Sequence, residues 1–166
     1  MVTTVPASAA DDQTAARSLH VVVVGAGFGG LAVVRRLGRA RRRGRLDARI
    51  TLIDRRNHHT FQPLLYQVAT AGLQTQDVGI SLRAILRREG VDIRLGEVVS
   101  VDPERQVVVL EDDTEVGYDR LIIAAGAITE DYGVPGVAEH AFGLKSLAEA
   151  TVLRNAVLQR FEEASS

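Results

Sequence analysis

Gly25-Ala26-Gly27-Phe28-Gly29-Gly30 and Asp54 are the residues of this chain whose types and spacing point most directly to chemistry. The glycines form a G-x-G-x-x-G pattern behind the apolar run Val21-Val22-Val23-Val24. Such a pattern handles phosphate without any reactive side chain. Gly25 permits a tight turn, Gly27 lets the backbone approach a pyrophosphate, and Gly30 lets a helix pack closely on a strand. A helix starting here directs its unpaired N–H groups and the positive end of its dipole at the phosphates. Asp54 closes the apolar segment Ile50-Thr51-Leu52-Ile53 and is placed to accept hydrogen bonds from the ribose hydroxyls of an adenosine. The competing reading, a glycine-rich turn in an unrelated α/β fold, leaves the strand before the turn, the helix after it and the acid beyond unexplained.

The elements that must position these residues follow from local pattern. Residues 19–24 read as a buried strand, 27–43 as the helix of the phosphate turn, and 48–54 as a second strand. The far end of that helix carries Arg35, Arg36, Arg39, Arg41, Arg42, Arg43 and Arg45. Cations there complement the helix dipole, so a solvated end is preferred to a patch for anionic lipid. Residues 55–77 are expected to form a long irregular loop whose apolar content packs on something. A helix over 78–88 and a strand over 91–95 follow. Short strands at 98–102, 106–110 and 115–118, separated by the turns Asp102-Pro103-Glu104-Arg105 and Glu111-Asp112-Asp113-Thr114, make a small antiparallel meander. Residues 121–126 return as a buried strand. Leu147, Ala150, Leu153, Val157 and Phe161 form a helical stripe near the end of the chain. No second glycine pattern occurs.

With 166 residues, 46% hydrophobic and 25% charged, the chain suits one globular domain. A net charge of −1 and 4% aromatic residues give no nucleic-acid footprint. The absence of cysteine removes thiol nucleophiles, disulfide exchange and thiolate metal sites from the residues at hand. His58 and His59 read as polar loop groups, and neither a catalytic residue nor a metal ligand is assigned. The first 18 residues are expected to be a disordered leader without the apolar core of a signal peptide. No apolar run approaches the roughly 18 residues needed to span a bilayer, so a cytoplasmic location is expected.

The order of glycine turn, acid, strand and meander, followed by Tyr118-Asp119-Arg120-Leu121-Ile122-Ile123-Ala124-Ala125-Gly126, resembles the FAD-binding domain of flavoproteins with two dinucleotide-binding domains. Within that group, Asn57-His58-His59-Thr60-Phe61-Gln62-Pro63-Leu64-Leu65-Tyr66-Gln67-Val68-Ala69-Thr70 is similar to the corresponding segment of type II NADH:quinone oxidoreductases. Ala141-Phe142-Gly143-Leu144-Lys145-Ser146-Leu147 continues the likeness. The implied fold is α/β, a Rossmann-like FAD-binding domain with a parallel sheet and a small antiparallel meander, incomplete at its C-terminus. Residues 19–128 would be its N-terminal part, and 129–166 a connector and helix leading to an NADH-binding domain.

The resemblance implies site residues as well. Gly25, Gly27, Phe28, Gly29 and Gly30 would cradle the FAD pyrophosphate, and Asp54 would hold the adenosine ribose with Arg55 beside it. Val98 would offer backbone groups to the adenine edge, although a plain core role is the blander reading. Gln62 and Pro63 would lie near the flavin or its ribityl chain, with Ala125 and Gly126 packed on the cofactor. Ala125 stands where the family usually has Thr, a change that removes at most one side-chain hydrogen bond. The implied activity is electron transfer from NADH through FAD to a quinone, by a protein peripheral to the cytoplasmic face of a membrane through a later region. The chain ends where the second dinucleotide domain would begin, so it is expected to be inactive alone. Two alternatives stay open: a non-catalytic nucleotide-binding module or orphan fragment, and a related pyridine-nucleotide flavoprotein with another donor or acceptor.

Overall fold

A computed structural model describes residues 18–165; nearly all of the expected leader, residues 1–17, lies outside the described residues, as does Ser166. Strand β1 (Leu19–Val24), helix α1 (Phe28–Arg42) and strand β2 (Ala48–Asp54) follow the expected boundaries to within a residue. Strands β3 (His58–Thr60) and β4 (Gly79–Ser81) pair antiparallel, with helices α2 (Leu65–Ala69) and α3 (Thr75–Val78) between them and α4 (Leu82–Leu86) after them. Then come β5 (Asp92–Leu95), the meander β6 (Val98–Asp102), β7 (Val107–Leu110) and β8 (Glu115–Gly117), and β9 (Arg120–Ile123). A short helix α5 (Val137–His140) precedes the long α6 (Leu147–Ser165).

The main sheet is parallel, in the order β5-β2-β1-β9. A parallel strand buried on both faces should be continuously apolar, which explains Val21-Val22-Val23. The two-residue side-chain period then divides these valines between two cores. Val21 and Val23 join Leu52, Leu31, Val34 and Leu86 on the face covered by α1 and α4. Val22 and Ile53 face the other way, onto Val108, Leu110 and Val116 of the meander. Burying each such side chain contributes about 1.5–3 kcal/mol, so the helix and the meander are both held by the same two strands.

Two expectations are corrected. Residues 55–77 are not irregular: they hold β3, a 3-10 turn over Gln62–Leu64, and α2 and most of α3. The helix expected over 78–88 is only α4, because residues 79–81 pair with β3. Three-residue strands and one-turn helices carry too little periodicity to be read locally. Their apolar residues form a third core in which Leu65, Val68, Ala69 and Val78 pack on Ala150 of α6, with Leu147 and Leu153 alongside. Further along α6 the stripe leaves this core, and Phe161 is 69% exposed.

Candidate functional site

The strand order makes β1 a switch point, with β2 on one side and β9 on the other, and ligands of open α/β sheets sit at the carboxyl ends of such strands. The glycine turn lies at this point. Gly25 has φ +97°, and a Cβ there would lie 2.3 Å from the Ala124 carbonyl oxygen. Its N–H donates to the Ile53 carbonyl at 2.8 Å, so the turn is gripped between the ends of β2 and β9. A Cβ at Gly30 would stand 1.7 Å from the Gly25 carbonyl oxygen. Gly27 differs: its φ of −71° suits any residue, and a Cβ there would meet nothing within 4 Å. Protein packing therefore demands glycine at positions 25 and 30, while Gly27 faces open space.

No side chain caps the start of α1. Its first N–H groups have no helical acceptor, and a 15-residue helix puts positive dipole charge at this end. Asp54 does something the sequence did not suggest. Its Oδ2 accepts from the Ala26 N–H at 2.6 Å and its Oδ1 from the Arg56 N–H at 2.8 Å, so the carboxylate ties the turn to the end of β2. Each oxygen keeps a second lone pair for a ribose hydroxyl. Beside it, His59 Nδ1 lies 3.0 Å from the Ala26 carbonyl oxygen. A carbonyl only accepts, so Nδ1 carries the proton. The Phe28 ring meets His59 edge-on at 5.0 Å and Phe61 at 5.5 Å.

A cleft of about 670 Å³ opens over the turn. Of the residues singled out from sequence, Gly25, Gly27, Phe28, Gly29, Asp54, Arg55, Gln62, Val98, Ala125 and Gly126 line it. Gly30 lies beneath the turn, and Pro63, the second residue of the 3-10 turn, is not in the lining. Ala125 and Gly126 sit past β9, which stops at Ile123, three residues before the expected strand end. Val98 is at a ladder irregularity between Val98 and Ser100, half-buried against the meander core.

The far wall was not foreseen: Lys145, Ser146 and Glu149 reach the cleft from the start of α6. Gln62 Nε2 donates to the Lys145 carbonyl at 3.2 Å and links the two walls. Glu149 accepts from the amides of Lys145 at 2.7 Å and Ser146 at 2.8 Å, while its own N–H donates to Ser146 Oγ at 3.2 Å. Burial pushes the Glu149 carboxyl up, but hydrogen bonds from the Lys145 amide, the Ser146 hydroxyl and amide, and the Thr129 hydroxyl outweigh it and hold the group below its ordinary value. The acids of the cleft are thus engaged: Asp54 and Glu149 by amides, and Glu97 by Arg55 at 3.8 Å. Lys145 has no ion pair among the described residues. The uncapped head of α1, with Arg55, Arg56 and Lys145 in the lining, leaves the cleft suited to an elongated anion. A pyrophosphate carrying an adenosine fits that description.

Residues 19–162 match the family described as pyridine nucleotide-disulphide oxidoreductase. The chain is 41% identical over 152 residues to the type II NADH:quinone oxidoreductase Ndh of Mycobacterium tuberculosis, covering 89% of this chain and 32% of that protein. It is 43% identical over 149 residues to NdhA of the same organism, covering 87% and 30%. Among solved structures, NDH2 from Plasmodium falciparum in complex with NADH superposes with a TM-score of 0.76 at 26% identity, over 90% of this chain and 31% of that one. The chain thus spans about a third of the length of these relatives.

Proposed function

The chain belongs to the pyridine nucleotide-disulphide oxidoreductase family, and from that premise we propose that it is the FAD-binding portion of an NADH:quinone oxidoreductase. The observation that carries this reading is the open space over Gly27 at the uncapped head of α1, in a turn where Gly25 and Gly30 are dictated by packing. Bound FAD would supply the redox chemistry, accepting hydride from NADH and passing electrons to the quinone.

The residues of this chain bind and orient. Gly27, Phe28 and Gly29 present backbone to the pyrophosphate. Asp54 offers its remaining lone pairs to the adenosine ribose, with Arg55 alongside. Gln62 and Lys145 close the far end, and Ala125 and Gly126 keep side-chain bulk out of the cofactor's path. No proton-transfer residue is required, and none is assigned. The 41–43% identities to NADH:quinone enzymes favour NADH and quinone over other donors and acceptors. In this reading the working protein is peripheral to the cytoplasmic face of a membrane; no helix among the described residues is long and apolar enough to cross one.

Titration of the purified chain with FAD, followed by quenching of flavin fluorescence, tests the reading. Saturable binding that ADP competes away is expected, because ADP carries the adenosine and pyrophosphate that the turn recognises. Only one glycine turn of this kind occurs among the described residues, so NADH:quinone turnover by this chain alone is not expected. Failure to bind either FAD or ADP refutes the proposal.

A further inference from the structure

Ala26 separates the first two glycines of the turn, and side chains from elsewhere in the fold hold both of its polar backbone atoms. Asp54 Oδ2 takes the N–H at 2.6 Å, and the Nδ1–H of His59 donates to the carbonyl at 3.0 Å. The Ala26–Gly27 peptide is trans and planar, so its C=O and N–H point in opposite directions. Fixing the Ala26 carbonyl on His59 therefore fixes which way the Gly27 N–H faces. That N–H has no partner among the described residues, and it stands at the head of the run of free amides that begins α1.

We propose that His59 is a positioning residue for the phosphate turn: it holds the Ala26 carbonyl back so that the Gly27 amide, rather than a carbonyl oxygen, is presented to the bound anion. A flipped peptide would set a partial negative charge against the pyrophosphate and turn a donor away from it. The inference rests on the reading that this turn binds a dinucleotide.

His59 is built for the task. The residue is only 8% exposed, and its ring is packed edge-on against Phe28. Its backbone is set by pairing with Ile80 across β3 and β4. The strand pair that interrupts the expected loop thus has a purpose: it carries a donor to the Ala26 carbonyl, in the wall of the same cleft. Asp54 alone leaves the carbonyl free to rotate. Asp54 holds the Gly25–Ala26 peptide and His59 the Ala26–Gly27 peptide, so together they fix the units on either side of the Ala26 Cα.

Three variants and two measurements test this. His59→Asn keeps an amide donor close to the Nδ1 position, His59→Gln moves it towards the Nε2 position, and His59→Ala removes it. One neutral hydrogen bond sets the population of the competent turn, and apparent affinity scales with that population. His59→Ala and His59→Gln should therefore bind FAD about three- to tenfold more weakly than the wild type. His59→Asn should stay within about twofold, because its donor is retained.

In the ligand-free protein, imidazole nitrogen NMR should find His59 protonated on Nδ1. The Ala26 carbonyl carbon shift should move in His59→Gln and hold in His59→Asn. Should His59→Ala fail to fold, the contrast between Asn and Gln carries the test. Wild-type affinity in His59→Gln, or a neutral ring protonated only on Nε2, overturns the inference. Absence of FAD and ADP binding by the wild type refutes the proposed function instead. The two ligand-free NMR measurements then still decide whether His59 holds the turn.

Discussion

Replacing Gly30 by alanine should damage the fold, whereas the same change at Gly27 should damage only nucleotide binding. A Cβ at position 30 would lie 1.7 Å from the Gly25 carbonyl oxygen and 2.9 Å from its carbon. Both are backbone atoms, so no rotamer relieves the clash. Helix α1 must lift off the turn, or Gly25 must leave its place against Ala124. Overpacking typically costs 1–3 kcal/mol, and a clash between two backbones belongs at the top of that range, about 3 kcal/mol. For a domain of this size that lowers Tm by about 6–12 °C.

Gly27→Ala meets nothing within 4 Å and keeps an allowed φ of −71°. Its stability cost is the modest helix N-cap preference for glycine over alanine, below about 1 kcal/mol. In the proposed function, its methyl group would occupy space that the pyrophosphate needs. Thermal unfolding by circular dichroism, paired with FAD titration, separates the two effects. Equal melting temperatures for Gly30→Ala and the wild type would refute the packing argument. Unchanged FAD affinity in Gly27→Ala would refute the ligand argument.

Asp54→Asn should cost about 1.5–3 kcal/mol, because a carboxamide can accept from only one of the two amides that the carboxylate now serves, and it does so without charge; urea denaturation measures it. The lowered pKa of Glu149 gives a pH dependence whose sign is fixed. Its contribution is fully present above the ordinary carboxylate value of the unfolded chain and is lost as the pH falls through the lower folded value. Protection factors of the Lys145 and Ser146 amides, corrected for the intrinsic exchange rate at each pH, should fall across that acid window as the start of α6 loosens, and Glu149→Gln should show low protection without the pH step.

Sequence by itself determined the parts whose information is local. Val21 to Val24, the glycines and Asp54 specify strand, turn, helix and strand because each step is set by side-chain period or by backbone geometry within a few residues. The meander was legible for the same reason, from alternating apolar residues and turn residues. That Gly25 and Gly30 serve packing while Gly27 faces space was not legible, since the three differ only in what lies opposite them. Tertiary structure alone placed Lys145, Ser146 and Glu149 in the same cleft as Asp54, just before and within the first turn of a helix carried there by burial of Ala150 against α2. It also turned His59 from an ordinary polar loop residue into the partner of Ala26, through a strand too short to announce itself. Contacts between residues far apart in the chain have no periodicity; they exist only once the sheet has fixed which strand ends meet.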